Sequence, residues 1–242
     1  MPNCGIWVNS SSATAMRQGG SRGFIKAKFI GIVGSYTGSN ISPMPLIGQP
    51  AVSDPLAGKP EPVAPLTCTY NAVSFQTSIT LPGNSTYCGK ITLNANITFG
   101  PGIHYFKNAD VVTNSTALIE SKDAMLYFDA TSKFSSAAGG NVIFRAPISG
   151  EYRGIAIFGS RAASNQLIKI TGNKDFSING TVYLPKHNLE VYGSTDITVT
   201  SKAGFLIANR FFYQGDSSIT FDGYADPGSV PAGLALRVSL VE

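Results

Sequence analysis

Few side chains in this sequence are equipped for chemistry. There are two histidines, His104 and His187, and three cysteines, Cys4, Cys68 and Cys88. The histidines stand far apart in sequence, and neither has a second histidine or cysteine at metal-ligand spacing. With no Cys-x-x-Cys and no Asp-x-Asp cluster, zinc and EF-hand readings fail. A Gly-x-Ser-x-Gly elbow and a phosphate-binding Gly-rich loop with its Lys are also missing, so no cofactor is expected. Asp175 and Asp196 share a spacing that stacks them on one edge, where calcium is one reading. Ser218 takes the next equivalent place, and turn-forming Asp is the commoner explanation. The only local concentration of charge is Glu120, Lys122, Asp123 and Asp129. Its offsets scatter over different sides of a coil, which suits solvated corners better than a sugar-cleaving carboxylate pair. No catalytic, metal or cofactor residues are assigned.

Cys68 and Cys88 are separated by the length of one short structural repeat. If the chain repeats with that period, the two stack within the Cα separation that a disulfide accepts. Two buried free thiols in a cytosolic protein are the alternative. With the pair bonded, Cys4 is left over, and a free thiol, a bond between molecules and a partner upstream stay open.

The elements that would hold these residues follow from composition and repeat. The chain has 242 residues, 43% hydrophobic but only 13% charged, with 26 Gly and 14 Pro and a net charge of +4. A coiled coil needs far more charge, and a disordered chain far less apolar content. An all-β fold of this length stays one domain. Helical periodicity is nearly absent; short β-branched and aromatic runs alternate with Gly, Asn and Ser. Gly172, Gly193 and Gly215 recur at a near-constant interval, as do Phe176, Ile197 and Ile219, and Ile178, Val199 and Phe221. Ile97 and Phe99 are matched by Ala117 and Ile119, one repeat on. Such registers predict a parallel β-helix, right-handed by the usual crossover rule, with coils of about 20–22 residues and Gly or Asn at the corners. A leucine-rich repeat lacks its Leu spacing here, and a sandwich lacks a reason for the long period.

Seven of the 14 prolines fall between Pro43 and Pro65. Residues 43–66 therefore read as an extended, polyproline-like connection between N-terminal strands in 1–42 and a solenoid body in 67–242, all within one domain. The longest apolar runs are too short to span a bilayer, and Met1 starts no charged-then-apolar leader. That leaves a cytosolic protein or a piece of an exported one. Arg17, Arg22, Lys26 and Lys28 all precede Asp54, the first acidic residue. They are the candidate contact for an anionic glycan or lipid surface, against the plainer reading of a solvated strand face. Aromatic interleaving of the nucleic-acid kind is missing, so no nucleic acid is expected.

The stretch Cys4-Gly5-Ile6-Trp7-Val8-Asn9, the run Ile30-Gly31-Ile32-Val33-Gly34, Asp54-Pro55-Leu56-Ala57 and Tyr87-Cys88-Gly89 resemble the extracytoplasmic region of TadG-like proteins of bacterial tight-adherence (Tad/Flp) pilus systems. The likeness continues in Pro101-Gly102-Ile103-His104-Tyr105, in Ala146 to Ile155 and in Ile178 to Pro185, with Asp-Pro-Leu-Ala and Thr-Val-Tyr-Leu-Pro its most specific pieces. Lys90 departs from the Gly expected there. The resemblance implies a non-enzymatic structural or adhesive module outside the cytoplasm (in the periplasm, at the outer membrane or on the cell surface). Its partners would be pilus assembly or envelope proteins, with a membrane reached only through a segment absent from this chain. It also implies export, which favours the Cys68–Cys88 bond. A carbohydrate-active β-helix acting on an acidic polysaccharide is the alternative, and an ice-binding solenoid a weaker third.

Overall fold

The computed structural model describes residues 5–20, 23–114, 116–137, 140–172, 176–193, 197–201, 206–214, 219–223 and 237–240. Among them the chain is all-β and every strand pairing is parallel. The strands stack as a β-solenoid of about 8 turns. No helix among the described residues is long and apolar enough to cross a membrane.

Each coil contributes to three faces. One is built from strands such as Ala124–Phe128 and Ile155–Gly159, which pair with the first half of Gly102–Thr113 and of Thr181–Gly193. The second halves of those long strands pair with Lys133–Ser135 and Gln166–Gly172 to form another face. The third is a separate seven-stranded sheet running from Ile79–Leu81 to Ile219–Gly223. Where a long strand turns from one face to the next, the register slips, as between Cys88 and Gly89 opposite Lys107 and Ala109. The corners need left-handed backbone, supplied by Gly89 (φ 67) and by Asn108 (φ 49) and Asn165 (φ 56). Gly and the short amide of Asn reach that region at low cost. At one corner the amides of Asn165, Asn188 and Asn209 bond to one another, Asn209 Nδ2 donating to both other oxygens at 2.7 and 2.9 Å.

Inside, like packs on like from coil to coil. Tyr70, Tyr87, Phe106 and Phe128 form a continuous ladder with ring centroids 5.3, 5.0 and 4.6 Å apart and planes within 22°. Phe99 meets Tyr87 and Phe106 edge-on. Aliphatic rows of Ile91, Val111, Ile119, Val142, Ile168 and Ile178 fill the other faces. Burial of this kind holds a solenoid together through nearest-neighbour coils.

The registers expected at Phe176, Ile197 and Ile219, and at Ile178, Val199 and Phe221, are those observed, and Gly172 pairs with Gly193. Gly215, like Asp175, Asp196 and Ser218, lies outside the described residues. One register needs correction: Ile97 pairs with Ile119 and Phe99 with Ser121, two residues later than expected. A two-residue slip leaves every side chain on the same face, so the pattern alone does not expose it. Coil length also varies more than the repeat implies. The first coil, from Tyr70 to its partner Tyr87, is shorter than the expected period. The step from Phe106 to Phe128 matches that period, and the step from Phe128 to Gly159 is far longer.

The N-terminal strands occupy an unexpected place. Gly5–Val8 pairs with Arg237–Leu240, the last described strand of the body, and with Ile30–Ile32 on its other side. Residues 5–49 thus extend the far end of the stack. Segment 50–66 then runs back along the outside to start the first coil at Tyr70. A turn interrupts it between Asp54 and Lys59, closed by Ala57 N–H to the Asp54 carbonyl and Lys59 N–H to the Leu56 carbonyl.

Candidate functional site

The groups that gather away from the core do so where this strap crosses the first face. There the outward positions carry Tyr105, Tyr127, Phe158, Tyr183 and Ile207, aligned one above the next. With Leu56 and Ala64 of the strap against them, they form a second apolar cluster outside the main core. This explains why Ala124–Phe128 and Ile155–Gly159 are buried on both faces and read as continuous apolar runs.

A strap rich in proline has few N–H groups and no ladder, so side chains must hold it. They do so in order along the stack. Asn9 brackets the Val52 backbone, donating from Nδ2 to its carbonyl at 2.8 Å and accepting its N–H at 2.9 Å. Asp54 Oδ2 accepts from the Tyr183 hydroxyl at 2.5 Å, and Oδ1 accepts the Leu56 N–H at 2.9 Å. Glu61 accepts from Tyr127 at 2.8 Å and from the Arg161 N–H at 3.2 Å. Lys107 Nζ donates to the Pro65 and Leu66 carbonyls. The Cys68–Cys88 disulfide, Cα to Cα 5.9 Å, then fixes the first coil to the second, as expected.

Arg161 is the centre of the clasp. Nε donates to the Tyr183 hydroxyl at 2.7 Å and Nη2 to the Leu56 carbonyl at 2.6 Å. Its guanidinium lies over the rings of Phe158 and Tyr183 and 4.0 Å from both Asp54 and Glu61. Burial, then the Asp54 carboxylate, push the Tyr183 hydroxyl far above its ordinary pKa, against the lowering influence of Arg161. Tyr127 is raised by burial and then by Glu61. Both phenols therefore stay protonated donors at neutral pH.

The two histidines are inside. His104 Nδ1 accepts from the Tyr87 hydroxyl at 2.9 Å, and Nε2–H donates to the Gly100 carbonyl at 2.8 Å. Burial lowers its pKa to about 4, partly opposed by the Gly100 bond. Burial also lowers His187 to about 4, against the Asp129 backbone and charge. A Cβ on Gly159 would stand 2.5 Å from His187 Nδ1, so only glycine leaves room for that ring.

The acidic candidates are separated. Glu120 sits on the third face, accepting from Thr98 at 2.9 Å and pairing with Lys122 at 2.9 Å and Arg145 at 3.5 Å. Burial raises its pKa, but the bonds from Lys122 and Thr98 and the nearby cations outweigh that and hold it below the ordinary value. Asp129 organises a corner, accepting the N–H groups of Asn108, Thr131 and Ser132 and the Ser132 hydroxyl. Asp123 occupies a turn with φ 52. Among the described residues no three His, Cys, Asp or Glu side chains gather as a metal site. Of the basic candidates, Lys26 and Lys28 are exposed on either side of buried Ala27, while Arg17 is exposed on a different two-stranded sheet. Arg22 and Cys4 lie outside the described residues.

Sequence reasoning missed the clasp. Its visible trace is Tyr105 and Tyr127, one repeat apart in a chain whose only Pro-dense segment needs an apolar surface. Set against known proteins, the chain matches no family model, no curated protein and no solved structure.

Proposed function

We propose that this chain is a non-enzymatic structural or adhesive module acting outside the cytoplasm, in a bacterial pilus assembly system of the Tad/Flp type. One contact supports the reading most. The two most specific pieces of the family likeness, Asp54-Pro55-Leu56-Ala57 and Thr181-Val182-Tyr183-Leu184-Pro185, are joined by the Asp54–Tyr183 hydrogen bond. Leu56 of the first piece also accepts from Arg161, which itself donates to Tyr183. Those residues are thereby accounted for by holding a strap, without a reaction. The Cys68–Cys88 bond agrees with an oxidising compartment, where such bonds persist. Partners in this reading are other assembly or envelope proteins.

Deleting the coding sequence for residues 5–240 in the host is expected to abolish or sharply reduce surface pili, scored by electron microscopy and adhesion. Glu120→Gln, Asp123→Asn and Asp129→Asn, introduced singly, are expected to leave pili in place. Turnover of polygalacturonate or another acidic glycan by the purified domain, lost in one of those three variants, would replace this reading with the carbohydrate-active one.

A further inference from the structure

At the far end of the stack, residues 43–49 close the last coil, and what they show to water is apolar. Met44 is 77% exposed, Leu46 60% and Ile47 54%. Phe24, one coil below, is also exposed, and Ile25 after it pairs with Ile41. Four of the eight large apolar side chains exposed among the described residues thus lie in 24–47. Apolar side chains grouped in this way mark a contact surface, whereas scattered ones do not.

Charge on these coils has one sign. Arg17, Lys26 and Lys28 are exposed, and the sequence holds no Asp or Glu before Asp54. Lys26 pairs with Ser42, two positions before Met44, so the cationic strand borders the apolar turn. Arg17 stands on the neighbouring sheet, paired with Thr37. Among the described residues none of the three cations has a carboxylate partner. The backbone of the turn is also suited to leave water. Leu46 N–H donates to the Ile30 carbonyl, Gln49 N–H donates to that of Ile32, and the Leu46 carbonyl accepts from Ile32. Pro43, Pro45 and Pro50 have no N–H to lose. A segment that enters the edge of a bilayer must bring few unpaired donors with it.

We propose that this end is a docking tip for an anionic lipid bilayer. Arg17, Lys26 and Lys28 meet the headgroups, and Met44, Leu46 and Ile47 enter the acyl boundary. The charge selects an anionic partner. The apolar turn selects a bilayer, since an acidic glycan in water gives Met44 and Ile47 nothing to be buried in. The first coil, at the opposite end of the stack, is then held away from the membrane. This surface is independent of the pilus reading.

Co-sedimentation of the full chain with vesicles tests it, using phosphatidylcholine and phosphatidylglycerol in equal parts against phosphatidylcholine alone. Binding to the mixed vesicles is expected, about tenfold or more weaker to the neutral ones, and weaker again in high salt. Met44→Ser with Ile47→Ser, and separately Lys26→Gln with Lys28→Gln, should each weaken binding to the mixed vesicles by about tenfold or more. Circular dichroism and melting temperature should stay unchanged, because all four side chains are exposed. Ile79→Ser at the opposite end is expected to leave binding as it is. No binding to the mixed vesicles, equal binding to both kinds, or loss with Ile79→Ser would overturn the proposal. Binding that falls with the lysine pair but survives Met44→Ser with Ile47→Ser would also overturn it, leaving a surface for polyanions such as an acidic glycan.

Discussion

The domain is expected to lose stability steeply between about pH 6.5 and 4.5, before Glu120 and Asp129 titrate. His104 and His187 are neutral in the fold, their pKa values lowered by burial to about 4 from an ordinary 6.5. Unfolding frees both to take up protons in that window. A depressed folded pKa means the stabilisation is fully present above 6.5 and is lost as pH falls toward 4. Each histidine withdraws roughly 1.4 kcal/mol per pH unit across the window. The loss through Glu120 and Asp129, whose pKa values lie below the ordinary carboxylate range, comes only at lower pH. Urea unfolding at about pH 6.5, 5.5 and 4.5 measures the slope. His187→Leu, which removes one titrating ring, should cut it by about half. A slope unchanged in that variant would mean His187 is not held neutral by its surroundings.

Arg161→Ala is expected to have the largest effect of any single change outside the main core. It removes the donors to Tyr183 and to the Leu56 carbonyl, and the cation between Asp54 and Glu61. Leaving a half-buried carbonyl and two carboxylates without that partner costs about 2–3 kcal/mol. For a chain of this size, the melting temperature falls by roughly 4–12 °C. The damage should be local first, since solenoid coils depend on their neighbours while the strap depends on the clasp. Limited proteolysis is expected to cut within 50–66 while the solenoid body stays intact. Cleavage at the wild-type rate would show that the strap is held elsewhere.

The solenoid was legible because each inward position repeats the chemistry of the one beneath it. The backbone register that pairs Phe176 with Ile197 and Ile197 with Ile219 follows that repeat, and Ile97, Ile119 and Val142, paired in turn, are all buried. The error at Ile97 arose because Ala117 is also apolar and buried, and a two-residue slip keeps strand parity. The long coil from Phe128 to Gly159 was hidden, since a solenoid admits excursions at its corners without disturbing the stack. Proline density marked 43–66 as a connection outside the strands, but not that 43–49 covers the Ile30–Ile32 edge, that a turn interrupts 54–59, or where the rest goes. Its path is set by single long-range contacts, Asn9–Val52, Asp54–Tyr183 and Glu61–Tyr127, which have no period. Beyond the one-repeat spacing of Tyr105 and Tyr127, the clasp residues therefore carried no pattern to read.

The return path of the strap is also what makes the architecture testable at long range. Residues 5–49 and the coil at 70–81 are near in sequence but lie at opposite ends of the stack. A distance measured by double electron–electron resonance between spin labels at exposed Ile47→Cys and Thr77→Cys, with Cys4→Ser and the native disulfide intact, decides between them. Strands stacked at ~4.8 Å intervals in the observed order put the labels about 45 Å apart. A distribution centred at about 20 Å or less, the spacing of adjacent coils widened by the labels, would place the N-terminal strands beside the first coil and contradict this architecture.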